Sequence, residues 1–347
     1  MNSKSLVSAA LGGFPVPRVP VGPLAVHFCA GLAGHTVHRY STDPDALAES
    51  VIRYYERFKP DVVWVSADTW VSAEAMGAKV GATDEQQPLG GLGEPLIRSA
   101  ADIDRIPSPD VSSQGRYPLM LKALSRIVNT LGKDAYVVGC FDQYPFSLAA
   151  ALMGINEIMV KVLDDPSFVQ ALMNRCSEYA FAYACALGSA GADLLSGGDS
   201  PAGLLAPSLY REVVLPAEQR LIQKIKDTAA KPVSLHICGN ATRILAMMGS
   251  SGAGVLELDS NVDLAQACQT LGPDIAIWGN LNPVQVLAQG TPAQVTAAAQ
   301  EAIAQAASCE HSRFVLSSGC TLPMETPHAN IDALVLAARV TGAFARM

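Results

Sequence analysis

The sequence predicts an α/β protein whose single domain, residues 1–347, is a (β/α)8 TIM barrel. Three observations predict it. Short apolar, β-branched runs alternate with longer amphipathic stretches, the signature of parallel βαβ units. There are eight such runs, the number that closes a barrel. Several of them end in polar or reactive residues, as the catalytic face of a barrel requires. A doubly wound open sheet is the rival, but no glycine-rich phosphate loop follows the first run.

The elements follow in chain order. The opening stretch, MNSKSLVSAALGGF, carries one lysine and a short apolar segment, which predicts an amphipathic helix. A signal peptide would need a longer apolar core and a cleavage site, so the protein is expected in the cytoplasm. Strands are expected over 19–27, 61–67, 135–141, 192–197, 232–238, 254–259, 274–279 and 313–318. Amphipathic helices such as 216–226 and 292–307 fill the intervals. The stretch 82–109 is polar and rich in glycine and proline, and reads as an excursion between elements, not a domain boundary. There are no internal repeats.

Composition fits this picture and excludes others. Half of the residues are hydrophobic (50%) and only 16% are charged, so the chain buries a large core and is not disordered. A net charge of −8 argues against a nucleic-acid partner. No run of ~18 apolar residues is present, so no membrane span is expected. In a cytoplasmic chain the eight cysteines read as buried thiols or as a metal or catalytic site, not as a disulfide framework.

Chemistry gathers at the strand ends: Ser66 and Asp68, Asp142, Asp199, His236 and Cys238, Glu257 and Asp259, Asn280, and Cys320. The sharpest motif is His236-Ile-Cys238-Gly-Asn240. Residues i and i+2 of a strand point to one side, so the imidazole and the thiol aim at one place. Cys320, after a glycine that permits a tight turn, supplies a third donor. One imidazole and two thiolates with a fourth position open is the pattern of catalytic zinc, and cobalt would fit the same donors. The competing reading is a core strand with incidental His and Cys, and a buried structural Cys320. A second pair, His27-Phe-Cys29, ends the first expected strand, and spacing alone does not choose between the pairs. Cys140, Cys176, Cys185, Cys268 and Cys309 read as packing residues. Glu257 and Asp259 share a strand face and are the candidate catalytic carboxylates; Asp259 either reaches the metal, holds a ligand by hydrogen bonding, or caps the next helix. Asp199 and Asn280 each follow a strand in a glycine-containing turn and are candidates for substrate binding, with helix capping as the alternative.

Taken together, HICGN, the acidic strand end LELDSNVDL, IWGNLNP, SSGCTLP and PHANIDALVLAAR resemble the uroporphyrinogen decarboxylase superfamily over nearly the whole chain. PRVP near the N-terminus and GAD…GDS in the middle fit too. The resemblance implies a (β/α)8 barrel. Within that superfamily, His-x-Cys plus a late cysteine is similar to the zinc-dependent cobamide methyltransferases, where the equivalents of His236, Cys238 and Cys320 bind zinc. The decarboxylases carry arginines after the first strand, whereas here none lies between Arg18 and Arg39; they also carry a histidine motif where this chain has Gly319-Cys320.

What the resemblance implies is methyl transfer between a methylcobalamin-type corrinoid, carried on a separate corrinoid protein, and a small acceptor, a thiol such as coenzyme M. The reverse reaction, demethylation of an O-methyl or other donor onto the corrinoid, is an alternative on the same barrel. So is a non-catalytic zinc or corrinoid-protein-binding barrel, with Asp259 or Glu257 as a permanent fourth ligand. A porphyrinogen decarboxylase would bind no metal.

Overall fold

In the computed structural model, which describes residues 1–81, 83, 84, 86, 89, 90 and 94–341, seven parallel strands form one curled sheet. They are β1 (Val62–Val65), β2 (Tyr136–Gln143), β3 (Leu194–Gly198), β4 (Val233–Ile237), β5 (Val255–Leu258), β6 (Ala276–Leu281) and β7 (Phe314–Ser318), neighbours in that order. Each lies inside, or within two residues of, the run expected for it. Such strands are covered on both faces, which is why they read as near-continuous apolar runs.

The first expected strand, 19–27, is the correction. Only Val21 bridges to Leu316 of β7. The segment still occupies the eighth barrel position: Leu316 N–H donates to Pro20 O (2.9 Å), Gly22 N–H to Leu316 O (3.0 Å), and Asp61 N–H to Val21 O (2.8 Å). Pro20 and Pro23 explain the reduction, since proline has no N–H to give to a ladder. Gly22 lies so close to β1 that an added Cβ would sit 2.4 Å from the Val62 side chain. From His27 the chain is helical, as far as Ala33.

The excursion over 82–109 contains half of a two-residue antiparallel ladder, Val80–Gly81 with Leu89–Gly90, and a helix, Ala100–Arg105, started by a Ser99/Asp102 capping box. Residues 82, 85, 87, 88 and 91–93 of it lie outside the described residues.

Along each strand alternate side chains enter the barrel. At the lower end these are apolar: Val62, Trp64, Val138, Leu194, Trp278 and Val315 pack together, with Trp64 and Trp278 edge to face at 5.5 Å. The N-terminal helix Ser3–Leu11 closes this end. Its Val7 is fully buried in the same cluster, Lys4 pairs with Asp193 (2.7 Å), and Ser3 Oγ donates to Asp61 (2.6 Å), both acids lying just before their strands. Further along the same inward faces the residues turn polar: Ser66, Cys140, Ser196, His236 and Glu257. There a cavity of about 340 Å³ opens at the C-terminal ends of the strands. Among the described residues, no single helix is long and apolar enough to cross a membrane.

Candidate functional site

The donor cluster forms at the rim of this cavity. His236 is on β4 and Cys238 follows its last residue, so the two-residue spacing turns both side chains inward. Gly239 then reverses the chain at φ +81°, a left-handed conformation that suits glycine. Cys320 arrives from the far side, just after β7. Ligand atoms of His236, Cys238 and Cys320 all lie within 4.8 Å of one another.

The imidazole is oriented by its strand neighbour. His236 is paired in register with Glu257 of β5, and its Nδ1 lies 2.8 Å from the Glu257 backbone oxygen. A carbonyl only accepts, so Nδ1–H is the donor, and Nε2 is the ring nitrogen that could give a lone pair to a metal once its own proton has left. Nε2 faces Cys238 Sγ at 2.9 Å, and the two sulfurs are 3.8 Å apart. Hydrogen bonding with Cys320 draws the Cys238 thiol down to about 7, although burial opposes it. That same bond, with burial, pushes Cys320 up to about 12. Burial works against charge on His236, yet the bond to Cys320 and the nearby Glu257 carry it up to about 9.

These residues fit a zinc ion. Two thiolates each about 2.3 Å from a tetrahedral zinc lie about 3.8 Å apart, the separation observed here. The imidazole stands at hydrogen-bond distance from Cys238, closer than the roughly 3.5 Å that a shared zinc sets, a difference that side-chain rotation absorbs. Three soft donors, one already carrying an orienting partner, form a catalytic type of donor set.

Residues 2–340 match the family described as Uroporphyrinogen decarboxylase (URO-D). The chain belongs to that family. It is 30% identical to the Methylcobamide:CoM methyltransferase MtbA of Methanosarcina mazei, over 80% of this chain and 79% of the relative. It is 27% identical to a Uroporphyrinogen decarboxylase of Prochlorococcus marinus, over 84% and 81%. A solved methyltransferase from Methanosarcina mazei superposes with a TM-score of 0.88 at 25% identity, covering 98% of both chains. The methyltransferases among these relatives support a methyltransferase as the enzyme class.

Around the cluster, this URO-D family member arranges the other candidates differently from one another. Glu257 lines the cavity beside His236 and is buried; Ser196 Oγ (2.8 Å) and Ser234 Oγ donate to its carboxylate. Burial pushes its pKa up. Asp259 does not line the cavity. Its Oδ2 accepts from Gly239 N–H (2.9 Å) and its Oδ1 from Asn261 N–H and Nδ2 (2.9 and 2.7 Å), so it ties the turn after Cys238 to the loop after β5. Asp199 is fully buried behind the wall, where Ser147 N–H donates to it (2.7 Å); burial pushes it up to about 7, and Glu218 is its neighbour. Asn280 donates to Asp259 O (3.1 Å) and Val262 O (2.7 Å) and lines a separate cleft with Ser260 and Asn282. Neither Asp199 nor Asn280 reaches the cavity.

The second His-x-Cys pair falls on a helix, where residues two apart point away from each other. His27 lines the cavity and its Nε2 meets Ala67 O at 2.8 Å, but Cys29 is fully buried and its thiol bonds to Ala25 O. Cys140, expected to be a packing residue, lines the cavity. Its inward phase was available in the sequence: it sits two residues after Val138 and two before Asp142. Asp142 is the other residue that sequence reasoning passed over beyond noting its strand end. It is buried at φ +66°, beside an irregularity in β2, and accepts from Ser72 N–H (2.8 Å) and Oγ (3.1 Å). Asp68 stands near it, held by Arg116.

Proposed function

We propose that the protein transfers a methyl group between a methyl-corrinoid, presented by a separate corrinoid protein, and a small thiol, and that His236, Cys238 and Cys320 hold a zinc ion. The observation that carries this reading is the convergence of those three donors at the mouth of a substrate-sized cavity. When bound, zinc would supply a position that keeps a substrate thiol as thiolate near neutral pH.

The chain's own residues do the positioning. The Glu257 carbonyl fixes the His236 ring with Nε2 toward the cluster. Asp259 braces the turn that carries Cys238. Leu24, Val26 and Trp64 give the cavity an apolar wall that limits water. In the reaction the substrate sulfur attacks the methyl carbon in line. A sulfur–carbon bond forms, the carbon–cobalt bond breaks, and its electron pair stays on the corrinoid, leaving cob(I)amide. The thiol's proton passes to solvent. Holding both partners in line is what the protein contributes to such catalysis, since orientation is then settled before the chemical step.

The test is metal content followed by activity. Purified wild type is expected to hold one zinc per chain. Cys238→Ala and Cys320→Ala should lose it and Cys29→Ala should keep it. Metal-free wild type, prepared anaerobically, would overturn the zinc assignment. With zinc present, methylcobalamin and a thiol panel should yield methylthioether and cob(I)alamin, and no transfer to any thiol would overturn the reaction.

A further inference from the structure

We infer that the small substrate of this cavity carries a cationic tail, an ammonium group, and not a sulfonate or carboxylate. That the ligand is a substrate rests on the methyl-transfer reading; the charge of its tail rests on the cavity alone.

Among the described residues lining the cavity there is no lysine or arginine, while three carboxylates line it: Asp68, Asp142 and Glu257. The sequence of 82–93, ATDEQQPLGGLG, adds no basic residue. Arg116 is the cation behind this wall. It is 9% exposed and already engages two carboxylates, Asp68 and Glu74, so the group as a whole is not positive. His27 is no cation either: burial holds it below its ordinary range, and its Nε2 faces a backbone oxygen. A zinc ion would not change the balance, because two thiolates and a neutral imidazole cancel its charge.

An anionic tail would therefore be desolvated here with no cation to meet it, and charges taken from water need a partner. A thiolate bound at the cluster makes the same point twice, since it already brings one negative charge. A cationic tail offsets part of that negative charge and has a receptor. Asp142 is 3% exposed, lines the cavity, and its Oδ1 has no hydrogen-bond partner. Gln143 Oε1, next in the chain and also on the lining, is unpartnered too. Burial and then the neighbouring Asp68 push Asp142 up to about 8, so an arriving cation stabilises the carboxylate that an anion would keep protonated.

The experiment compares thiols of one length: cysteamine, thiocholine, 2-mercaptoethanol and coenzyme M (2-mercaptoethanesulfonate). Binding to the zinc-loaded protein is read by calorimetry, and transfer from methylcobalamin by kcat/KM. Cysteamine and thiocholine should each bind about tenfold or more tightly than coenzyme M, and Asp142→Asn should narrow that ratio. Coenzyme M binding as well as either cation overturns the inference. So does a cysteamine preference that thiocholine does not share, since the cysteamine nitrogen can chelate zinc and the quaternary one cannot. If the cations bind best but no thiol is methylated, the inference stands and the methyl-transfer reading falls. If Asp142→Asn does not fold, the wild-type order decides.

Discussion

His236 and Cys238 were legible as a pair because two-residue spacing on a strand is a geometric statement. What distinguished them from His27 and Cys29 was not legible, because it depends on where the first strand gives way to a helix. Asp199 and Asn280 were misplaced for a related reason: a residue after a strand can turn inward, behind the wall, or into a neighbouring cleft, and the sequence carries only its distance from the strand. Asp142 makes a prediction at this scale. Its ordinary pKa, near 3.8, rises to about 8 in the fold through burial and the nearby Asp68. A carboxyl raised on folding contributes stability that is complete below about pH 4 and is lost as pH rises toward 8. Asp142→Asn keeps an oxygen for Ser72 and cannot ionise. Thermal unfolding at pH 5 and pH 8 should therefore show the variant gaining on wild type as pH rises. A wild-type-minus-variant difference that does not move with pH would show Asp142 to be ionised, or uncharged, throughout.

Among the elements, seven strands were legible to within two residues because parallel strands buried on both faces leave long apolar signals. The first failed because Pro20 and Pro23 interrupt its apolar pattern. Gly319 shows how an element can be right and its reason different. The glycine before Cys320 is needed for close approach, not for a left-handed turn. A Cβ there would stand 2.4 Å from Ser260 N and 3.1 Å from Asp259 C, both backbone. Gly319→Ala must push the loop after β7 away from the loop after β5, at a cost of about 1–3 kcal/mol for overpacking. Since Cys320 is the next residue, the variant should lose zinc at chelator concentrations that wild type withstands, and show a lower urea midpoint. A fall in the midpoint with undiminished zinc retention would mean that Cys320 is positioned independently of its loop.

For the molecule as a whole, the barrel was legible from the count of strands and the polarity of their ends, and the superposition on a solved methyltransferase agrees. The place of the N-terminal helix was not, since an amphipathic pattern states that one face is covered but not by what. Its Val7 is at 0% exposure against the lower barrel layer. Val7→Asp should put an unpaired carboxylate there and lower stability by several kcal/mol, measurable as a large drop in Tm. A near-wild-type Tm would show that the helix lies loosely on the barrel.

Among the described residues, that helix and the paired tryptophans above it fill the lower end of the barrel, and the cavity opens at the other, where the strands end. Under the methyl-transfer reading the corrinoid protein must sit over the same opening through which the small thiol enters. Arrival is then compulsory in order, thiol before carrier, and the methylated product leaves only after the carrier has gone. An excess of carrier would close empty barrels and slow the reaction that a modest amount supports, so the ratio of the two proteins, and not only their activity, sets the flux.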